Sequence, residues 1–406
     1  MAHTPLVSPR KDSPQWHSVL NPKFPDHSSK PRSYPQRQNK TLRILLLATI
    51  AGILLATLWP LNPFPRNRVD WLQGANGISF DGPGLVLSKS SLVADHRSQS
   101  CSLELLIQPA NTESVYTILE FYDPAGKKGL TVRQWQEGLV ISHDVLDTRG
   151  KFRTEKVDLV RVLQRRRPLL LTITSDSNGI VAYFNGDQPR RYPKFVISPE
   201  EFSGQIVMGT SAEDSMPWAG EVQGSAIYSS ALTPEKVRQH YDNWITRPIN
   251  APDVDHAIAL YPFSEGSGRD IHSAVRSAPN LLMPATYRVP FKRMLKSPID
   301  EFQATWTYFS DLLSNIAGFL PFGFLLCAYL RTSRSPKHAI SQAILAGAFL
   351  SFVIEVCQFY IPPRGSGITD VLTNTTGTVL GAILAQSFLG RIIIQKLMGT
   401  DSTRHC

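Results

Sequence analysis

Residues 309–330 read FSDLLSNIAGFLPFGFLLCAYL, an apolar segment with one carboxylate and one amide near its start. About 20 such residues cross the roughly 30 Å hydrocarbon core of a bilayer. Two further apolar segments of spanning length follow, at 339–361 and at about 366–389. The breaks between them are too short for anything but tight turns between antiparallel helices. Residues 309–390 are therefore predicted to form three transmembrane helices.

A fourth apolar segment lies far upstream, where residues 44–59 read ILLLATIAGILLATLW. With its flanks, 43–61, it is long enough to span a membrane. A cleavable signal peptide is the alternative interpretation. The basic region before the segment is too long for one, and Trp-Pro-Leu-Asn-Pro is a poor cleavage site. An uncleaved anchor is favoured, so the helical part is predicted to be an all-α bundle of four transmembrane helices.

The orientation follows from Lys and Arg, which collect on the cytoplasmic side of membrane proteins. Residues 1–43 carry eight basic and two acidic residues, and further basic residues lie at 331–338 and after 390. Four crossings put all of these on one side. We expect a multi-pass protein of the plasma (inner) membrane with both termini cytoplasmic: a disordered, proline-rich tail over 1–42 and a second tail over 391–406. The basic tail runs directly into an apolar segment, which favours a membrane flank over nucleic-acid binding.

Polar and small residues recur every three or four positions in the last three predicted helices, which places them on one face of each helix. Small residues allow close helix packing. The candidate packing residues are Gly318, Gly323, Gly377 and Gly381, and the candidate polar residues are Asp311, Asn315, Glu355, Gln358, Asp370 and Asn374, with Arg364 in the turn above them.

The three carboxylates, Asp311, Glu355 and Asp370, are predicted at a similar height in the outer leaflet. Charged groups within a span are costly and need a reason. One interpretation is structural, with hydrogen bonds and an Arg364 ion pair holding the helices together. Three acids and one arginine leave surplus negative charge, however, so a functional pocket that opens outward is favoured. Without a nearby His or Cys, zinc is disfavoured, and oxygen ligands would suit Mg²⁺ or Ca²⁺. No metal is predicted, and the sequence does not identify a cofactor.

This C-terminal part resembles the VanZ-like membrane family, named for a protein associated with glycopeptide resistance. The resemblance rests on DLLSNIAGFLPFG at 311–323, on the E-x-x-Q of Glu355–Gln358, and on Arg364 followed by Asp370–Gly377. It implies that residues 43–60 are the first helix of such a domain and that everything up to the second helix is an insertion. It implies no settled biochemical activity.

The inserted region, 70–285, consists of short β-rich runs that recur every 8–12 residues between Gly, Asn and Asp. This spacing is typical of an antiparallel sandwich. The four cysteines of the chain exclude a disulfide-dense scaffold. A short helix is predicted at Thr233–Trp244, capped by Thr233. Residues 286–308 would be a juxtamembrane linker. The chain is thus predicted to be multi-domain, with a transmembrane helical part and an all-β part.

The β-rich region resembles the laminin-G/concanavalin-A-like family, which implies a jelly-roll sandwich. The resemblance is carried by Ser102–Gln108, Ala182–Gly186, Phe202–Gly209 and Gly220–Tyr228. Residues 257–268 (AIALYPFSEGSG) match the strand with which such domains usually open, although here it comes last. The domain is therefore either permuted or supplied with an extra edge strand.

The sandwich resemblance does not fix a ligand. A sugar site needs aromatic side chains beside hydrogen-bonding groups, and Trp135, Tyr183 and Trp218 are candidates, with a core role as the alternative. Glu213 and Asp214 are a weak indication of a Ca²⁺ site. No acidic pair at strand spacing indicates a glycosidase.

The favoured function is a cell-envelope membrane protein whose acidic pocket engages an envelope molecule, with the sandwich as a glycan- or protein-binding module. The expected partners are the bilayer and an envelope glycan or lipid-linked precursor. The alternatives are an intramembrane enzyme that uses the carboxylates for acid/base or metal-assisted chemistry, and a non-catalytic scaffold or sensor.

Overall fold

The computed structural model describes residues 36–94, 98–113, 115–123, 128–148, 150, 152–246 and 256–397. It consists of a β-sandwich and a bundle of apolar helices, as the sequence predicts. The proposed tail at 1–42 lies almost entirely outside the described residues, as does Cys406.

The sandwich is built from sixteen described strands in two antiparallel sheets. In chain order they are β1 (Val69–Trp71), β2 (Ile78–Phe80), β3 (Val86–Ser88), β4 (Cys101–Pro109), β5 (Val115–Tyr122), β6 (Lys128–Trp135), β7 (Gly138–Leu146), β8 (Phe152–Leu159), β9 (Leu169–Asp176), β10 (Gly179–Phe184), β11 (Asp187–Tyr192), β12 (Gln205–Met208), β13 (Gly220–Tyr228), β14 (Ala257–Tyr261), β15 (Asp270–Ile271) and β16 (Leu281–Leu282). The first sheet has the order β1-β2-β13-β4-β9-β10-β11, and the second has β15-β16-β3-β12-β5-β6-β7-β8.

The sandwich core lies between the two sheets and is filled by alternate residues of their strands. Strand β7 shows the expected alternation, but β4 is buried on both of its faces. The second face of β4 is covered by helix α2 (Pro234–Thr246), which follows β13. Helix α1 (Gln36–Leu58) precedes the sandwich. Buried Glu104 accepts hydrogen bonds from Nδ1 of His240 at 3.0 Å and Nε1 of Trp244 at 2.9 Å, which holds α2 against the sheet.

The segment at 257–268 joins the sandwich as an added strand. β14 pairs with Ser225–Tyr228 of β13, while β2 pairs with Gly220–Val222 along the same edge of that strand. β15 and β16 then extend the second sheet beyond β3. β14 pairs with β13 alone among the described strands, a position that both interpretations of 257–268 allow.

The remaining helices are α3 (Pro298–Glu301), α4 (Trp306–Leu330), α5 (Pro336–Tyr360), α6 (Ile368–Gln386) and α7 (Phe388–Leu397). Among the described residues, three helices are long and apolar enough to cross a membrane: Lys40–Leu58 of α1, α4 and α5. The fourth candidate is the pair α6 and α7, which pass the same criterion together but are bent by 84° at their junction. The predicted span at 366–389 therefore ends at Gln386, and part of the predicted tail at 391–406 is helical.

Helices α4 and α6 approach each other most closely, and three of the four predicted packing glycines explain why. A Cβ at Gly377 would lie 2.2 Å from the carbonyl oxygen of Ile316, one at Gly381 would lie 2.1 Å from that of Leu320, and one at Gly323 would lie 2.2 Å from that of Thr378. Gly318 differs from the prediction, since a Cβ there would meet no atom within 4 Å. Gly318 instead faces a cavity beside the helices, described below.

Candidate functional site

A cavity of about 1070 Å³ lies where the sandwich meets the helices. We call it the junction cavity. Its walls are the ends of α1, α4 and α6 nearest the sandwich, the turn after α5, the segment from Arg293 to Gln303, and the sandwich loop that holds Glu213 and Asp214. On α4 its lining extends from Tyr308 to Phe319, which is about 16 Å at 1.5 Å per residue.

Most of the polar residues predicted from helical spacing line this cavity. They are Asp311, Asn315, Gln358, Arg364, Asp370 and Asn374, and Gly318 lines it as well. Nδ2 of Asn315 donates to Oδ1 of Asp370 at 2.8 Å, which joins α4 to α6 across the cavity wall. Nδ2 of Asn374 donates to Oγ of Ser351 at 2.9 Å, which joins α6 to α5.

Glu355 has a different position from the other predicted acids. It is 1% exposed and does not line the junction cavity. Its Oε2 accepts the backbone N–H of Gly367 at 2.8 Å, immediately before α6. The first N–H groups of a helix need such acceptors, and a negative charge there is favoured by the helix dipole. The carboxylate of Glu355 thus caps α6.

Arg364 also differs from the predicted ion pair with the acids. Its Nε donates to the carbonyl oxygen of Trp59 at 2.8 Å and its Nη2 to that of Ala56 at 3.1 Å. These carbonyls belong to the last turn of α1 and the residue that follows it. A helix C-terminus leaves its last carbonyls without internal partners and attracts cations. The guanidinium of Arg364 therefore binds the C-terminal end of α1. The spacing of residues within the last three helices could not predict this partner.

Glu301 is a cavity residue that the sequence reasoning missed, because it lies in the stretch predicted to be a linker. Its Oε2 accepts the N–H of Thr369 at 3.3 Å, so it caps α6 from the side opposite Glu355. It is the last residue of the short helix α3, which has Ser297 as N-cap and Pro298 at the first position. Ser297 and Pro298 are the sequence signal from which this short helix could have been predicted.

The sandwich is fastened to this region by ion pairs. Nη2 of Arg293 lies 2.7 Å from Oε1 of Glu213, and Nζ of Lys296 lies 3.0 Å from Oδ1 of Asp214. The hydrogen bond to Glu213 and its charge raise the pKa of Arg293. Glu213 and Asp214, the weak candidates for Ca²⁺ ligands, thus bind cationic side chains of the same chain. No group of three or more His, Cys, Asp or Glu with metal-binding geometry occurs among the described residues.

Lys292 fixes the end of α5. Its Nζ donates to the carbonyl oxygens of Gln358 and Ile361, both at 2.8 Å. Burial lowers the pKa of Lys292 to about 8, and the nearby charge of Lys296 adds to the shift.

The aromatic candidates of the sandwich do not form one exposed platform. Trp218 is fully buried and donates from Nε1 to Oε1 of Gln134 at 2.6 Å, and Tyr183 is 6% exposed. Trp135, at 55% exposure, is the accessible member of the three. The core role considered as the alternative fits Trp218.

Residues 257–390 match a protein-family model described as VanZ/LLP1, and this stretch is a VanZ-like domain. The match begins at β14 and ends just after α6. It includes every polar residue predicted for the intramembrane pocket. It does not reach α1, so the assignment of residues 43–60 to the same domain stays a prediction.

Two solved structures are similar to part of this chain. A putative carbohydrate binding protein from Bacteroides ovatus ATCC 8483 has 14% identity and a TM-score of 0.37, covering 53% of this chain and 59% of its own. The receptor binding domain of botulinum neurotoxin D has 18% identity and a TM-score of 0.30, covering 44% of this chain and 46% of its own. This chain therefore spans less than two thirds of either structure. None of the curated proteins matches it.

Proposed function

We propose that this protein is a cell-envelope membrane protein that holds the polar part of an envelope molecule in the junction cavity. The observation that carries the proposal is the unbalanced charge of that cavity. Of its six acidic lining residues, Glu213 and Asp214 are paired with Arg293 and Lys296. The other four, Asp300, Glu301, Asp311 and Asp370, have no ion pair with any described residue.

Uncharged acceptors add to this excess. Gln358 and Thr369 line the cavity at 8% and 9% exposure, and Oε1 of Gln358 and Oγ1 of Thr369 have no hydrogen-bond partner among the described residues. A buried polar atom without a partner costs roughly 1–3 kcal/mol. The cavity thus has six carboxylates against three cations, Arg293, Lys296 and Arg364, which leaves an excess of negatively charged acceptors. It suits a ligand that offers hydroxyl or ammonium groups.

Part of the cavity wall within the helix bundle is apolar. Ile53 of α1 and Phe319 of α4 line it deeper in the bundle than Asp311, and Leu312 lines it beside Asp311. A cavity that is polar near the sandwich and apolar along the helices suits an amphiphile whose chain stays in the bilayer. A glycan on a lipid carrier has this construction, and the sandwich would present the glycan-binding surface above it. A part in glycopeptide resistance, suggested by the family's name, would follow from binding such a precursor.

The proposal is tested by identifying what co-purifies with the protein. Full-length protein is extracted in a mild detergent, and bound lipids and glycans are measured by mass spectrometry. We expect a defined amphiphile in the wild type and a reduction of about tenfold in the double variant Asp311→Asn/Asp370→Asn, corresponding to a loss of about 1.4 kcal/mol. Asp70→Asn, on the exposed sandwich surface, is the matched control and should retain the ligand.

The same experiment separates the alternatives. Conversion of the added amphiphile into a product, lost in the double variant, would identify an enzyme instead. An unchanged set of co-purified molecules in a double variant that melts like the wild type would contradict the proposal and leave a scaffold.

A further inference from the structure

A second concave site lies at the lateral edge of the sandwich. β8 is the last strand of the second sheet, and β11 is the last strand of the first. Between β8 and the end of β11, with the turn that follows, is a groove of about 540 Å³ lined by residues 153–157 and 191–195. We call it the edge groove.

The edge groove is strongly cationic. Its basic residues are Arg153, Lys156, Arg191 and Lys194, and its single acid is Glu155. Oε1 of Glu155 is in contact with Nη2 of Arg153, and Oε2 of the same carboxylate lies 3.9 Å from Nε2 of buried His143. Arg153 thus offsets Glu155. Lys156, Arg191 and Lys194 are exposed and have no ion pair with any described residue. Lys156 lies opposite Ser142 and Arg191 opposite Val181, so both side chains leave the outer faces of their sheets, on opposite rims of the groove.

The shape of the edge groove favours an extended ligand over a single ion. The five residues of β8 that line it span about 13 Å at 3.3 Å per residue. The outer edge of β8 pairs with no described strand, so its backbone N–H groups face outward as additional donors. Half-buried Tyr192 and Pro193 add a less polar surface on the opposite wall.

The edge groove is separate from the junction cavity. β8 lies four strands from β12, the strand that leads to Glu213 and Asp214, which is about 19 Å at 4.8 Å per strand. The two sites also have opposite charge, so one ligand group does not suit both.

We propose that the edge groove binds an acidic polysaccharide, a linear glycan whose repeating carboxylate or phosphate groups contact Lys156, Arg191 and Lys194. Cations on both rims of the groove match repeated charges on a polymer laid across it, and the concave wall with Tyr192 suits the sugar rings between them. This binding would attach the sandwich to the envelope polymer around it, independently of the ligand of the junction cavity.

The test uses full-length protein in phosphatidylcholine nanodiscs and three labelled polymers. Polygalacturonate supplies carboxylates, polyphosphate supplies phosphates, and dextran is neutral. We expect binding of at least one anionic polymer, none of dextran, and weaker binding as salt is raised, because exposed charges are screened. The triple variant Lys156→Gln/Arg191→Gln/Lys194→Gln should lose about tenfold or more in affinity.

A matched control removes the same charge elsewhere on the sandwich. Arg167→Gln/Arg269→Gln/Arg276→Gln replaces three exposed arginines outside the groove and should bind like the wild type. An equal loss of polymer affinity in both triple variants would show that binding depends only on net charge, and it would overturn the proposal. Unaltered polymer binding in the groove variant would overturn it too. So would a wild type that binds neither polymer but floats with phosphatidylglycerol vesicles through these residues, because the ligand would then be a lipid surface.

Discussion

Glu355 and Glu301 act on the same few backbone groups, although they lie on different helices. Oε2 of Glu355 accepts the N–H of Gly367, and Oε2 of Glu301 accepts the N–H of Thr369. Together they satisfy two of the N–H groups that the start of α6 cannot pair internally. The contacts of Glu355 therefore fit the structural interpretation, and we propose the functional one for Asp311 and Asp370, which line the cavity.

This division of roles predicts that one of two isosteric substitutions lowers stability and the other lowers ligand retention. Glu355→Gln replaces one carboxyl oxygen by an amide group that cannot accept the N–H of Gly367, and we expect a loss of about 1 kcal/mol in stability. Asp311→Asn, at the cavity wall, should change stability little and lower ligand retention. Thermal unfolding in detergent and mass spectrometry of the co-purified ligand measure both. Loss of ligand with unchanged stability in Glu355→Gln would contradict the assignment.

At the residue scale, helical spacing predicted which side chains share a helix face but not which residues they contact. Asp311, Asn315, Asp370 and Asn374 line one cavity because helical periodicity fixes their direction. The partner of Arg364 lies some 300 positions upstream, at the end of α1. No local pattern encodes such a pairing, since it depends on how α1 packs against the other helices.

The packing of α4 on α6 depends on the absence of side chains at a few positions. The Gly381→Ala substitution would place a Cβ 2.1 Å from the carbonyl oxygen of Leu320, a backbone atom that moves only with its helix. We expect a loss of about 1–3 kcal/mol, the usual cost of overpacking, seen as a lower melting temperature in detergent. Gly318→Ala is the control for stability alone, because its Cβ would meet nothing within 4 Å. Equal melting temperatures would contradict the packing model.

At the element scale, the sequence predicted the presence of helices and strands better than their ends. Hydropathy indicated the apolar stretch at 366–389 but could not indicate the 84° bend between α6 and α7. In the structure, Phe388 and Leu389 of α7 are exposed by 80% and 58% beside Arg391. A helix with this composition that bends by 84° from the end of α6, with Ile393 and Ile394 packed on the bundle, suits the membrane surface.

At the scale of the whole molecule, the sandwich extends beyond the predicted limits of 70–285. Tyr287 is 1% exposed, and its hydroxyl lies 2.9 Å from Oγ1 of Thr210. The ring of Phe291 stacks on Tyr122 with centroids 4.5 Å apart. Buried Asn67, before β1, donates to the carbonyl oxygen of Leu85 at 2.9 Å. The segment predicted as a linker therefore begins inside the sandwich.

A fragment comparison tests this boundary. Residues 65–292 and residues 70–285 are expressed as separate soluble fragments, and we expect both to be β-rich by circular dichroism. The shorter one lacks the buried Tyr287, a loss of roughly 1.5–3 kcal/mol, and should melt several degrees lower. Tyr287→Phe in the longer fragment is the control for the hydroxyl alone. Equal melting temperatures of the two fragments would support the predicted limits of 70–285.

The orientation of the protein in the membrane is the last prediction, and it rests on the distribution of Lys and Arg. The turn after α4 holds Arg331 and Arg334, and Nη1 of Arg331 donates to the carbonyl oxygen of Ala385 at the end of α6. These charges lie at the end of the bundle opposite the sandwich, which predicts a cytoplasmic position for that end.

Single cysteines in a background without the native ones test this orientation. In intact cells, an impermeant thiol reagent should label Thr148→Cys in the sandwich and Gly365→Cys in the turn after α5. Arg334→Cys should react only after permeabilisation, which also shows that the position is accessible. Labelling of residue 334 in intact cells would invert the orientation. The junction cavity would then open to the cytoplasm, and a ligand from the outer envelope could not reach the carboxylates of Asp311 and Asp370.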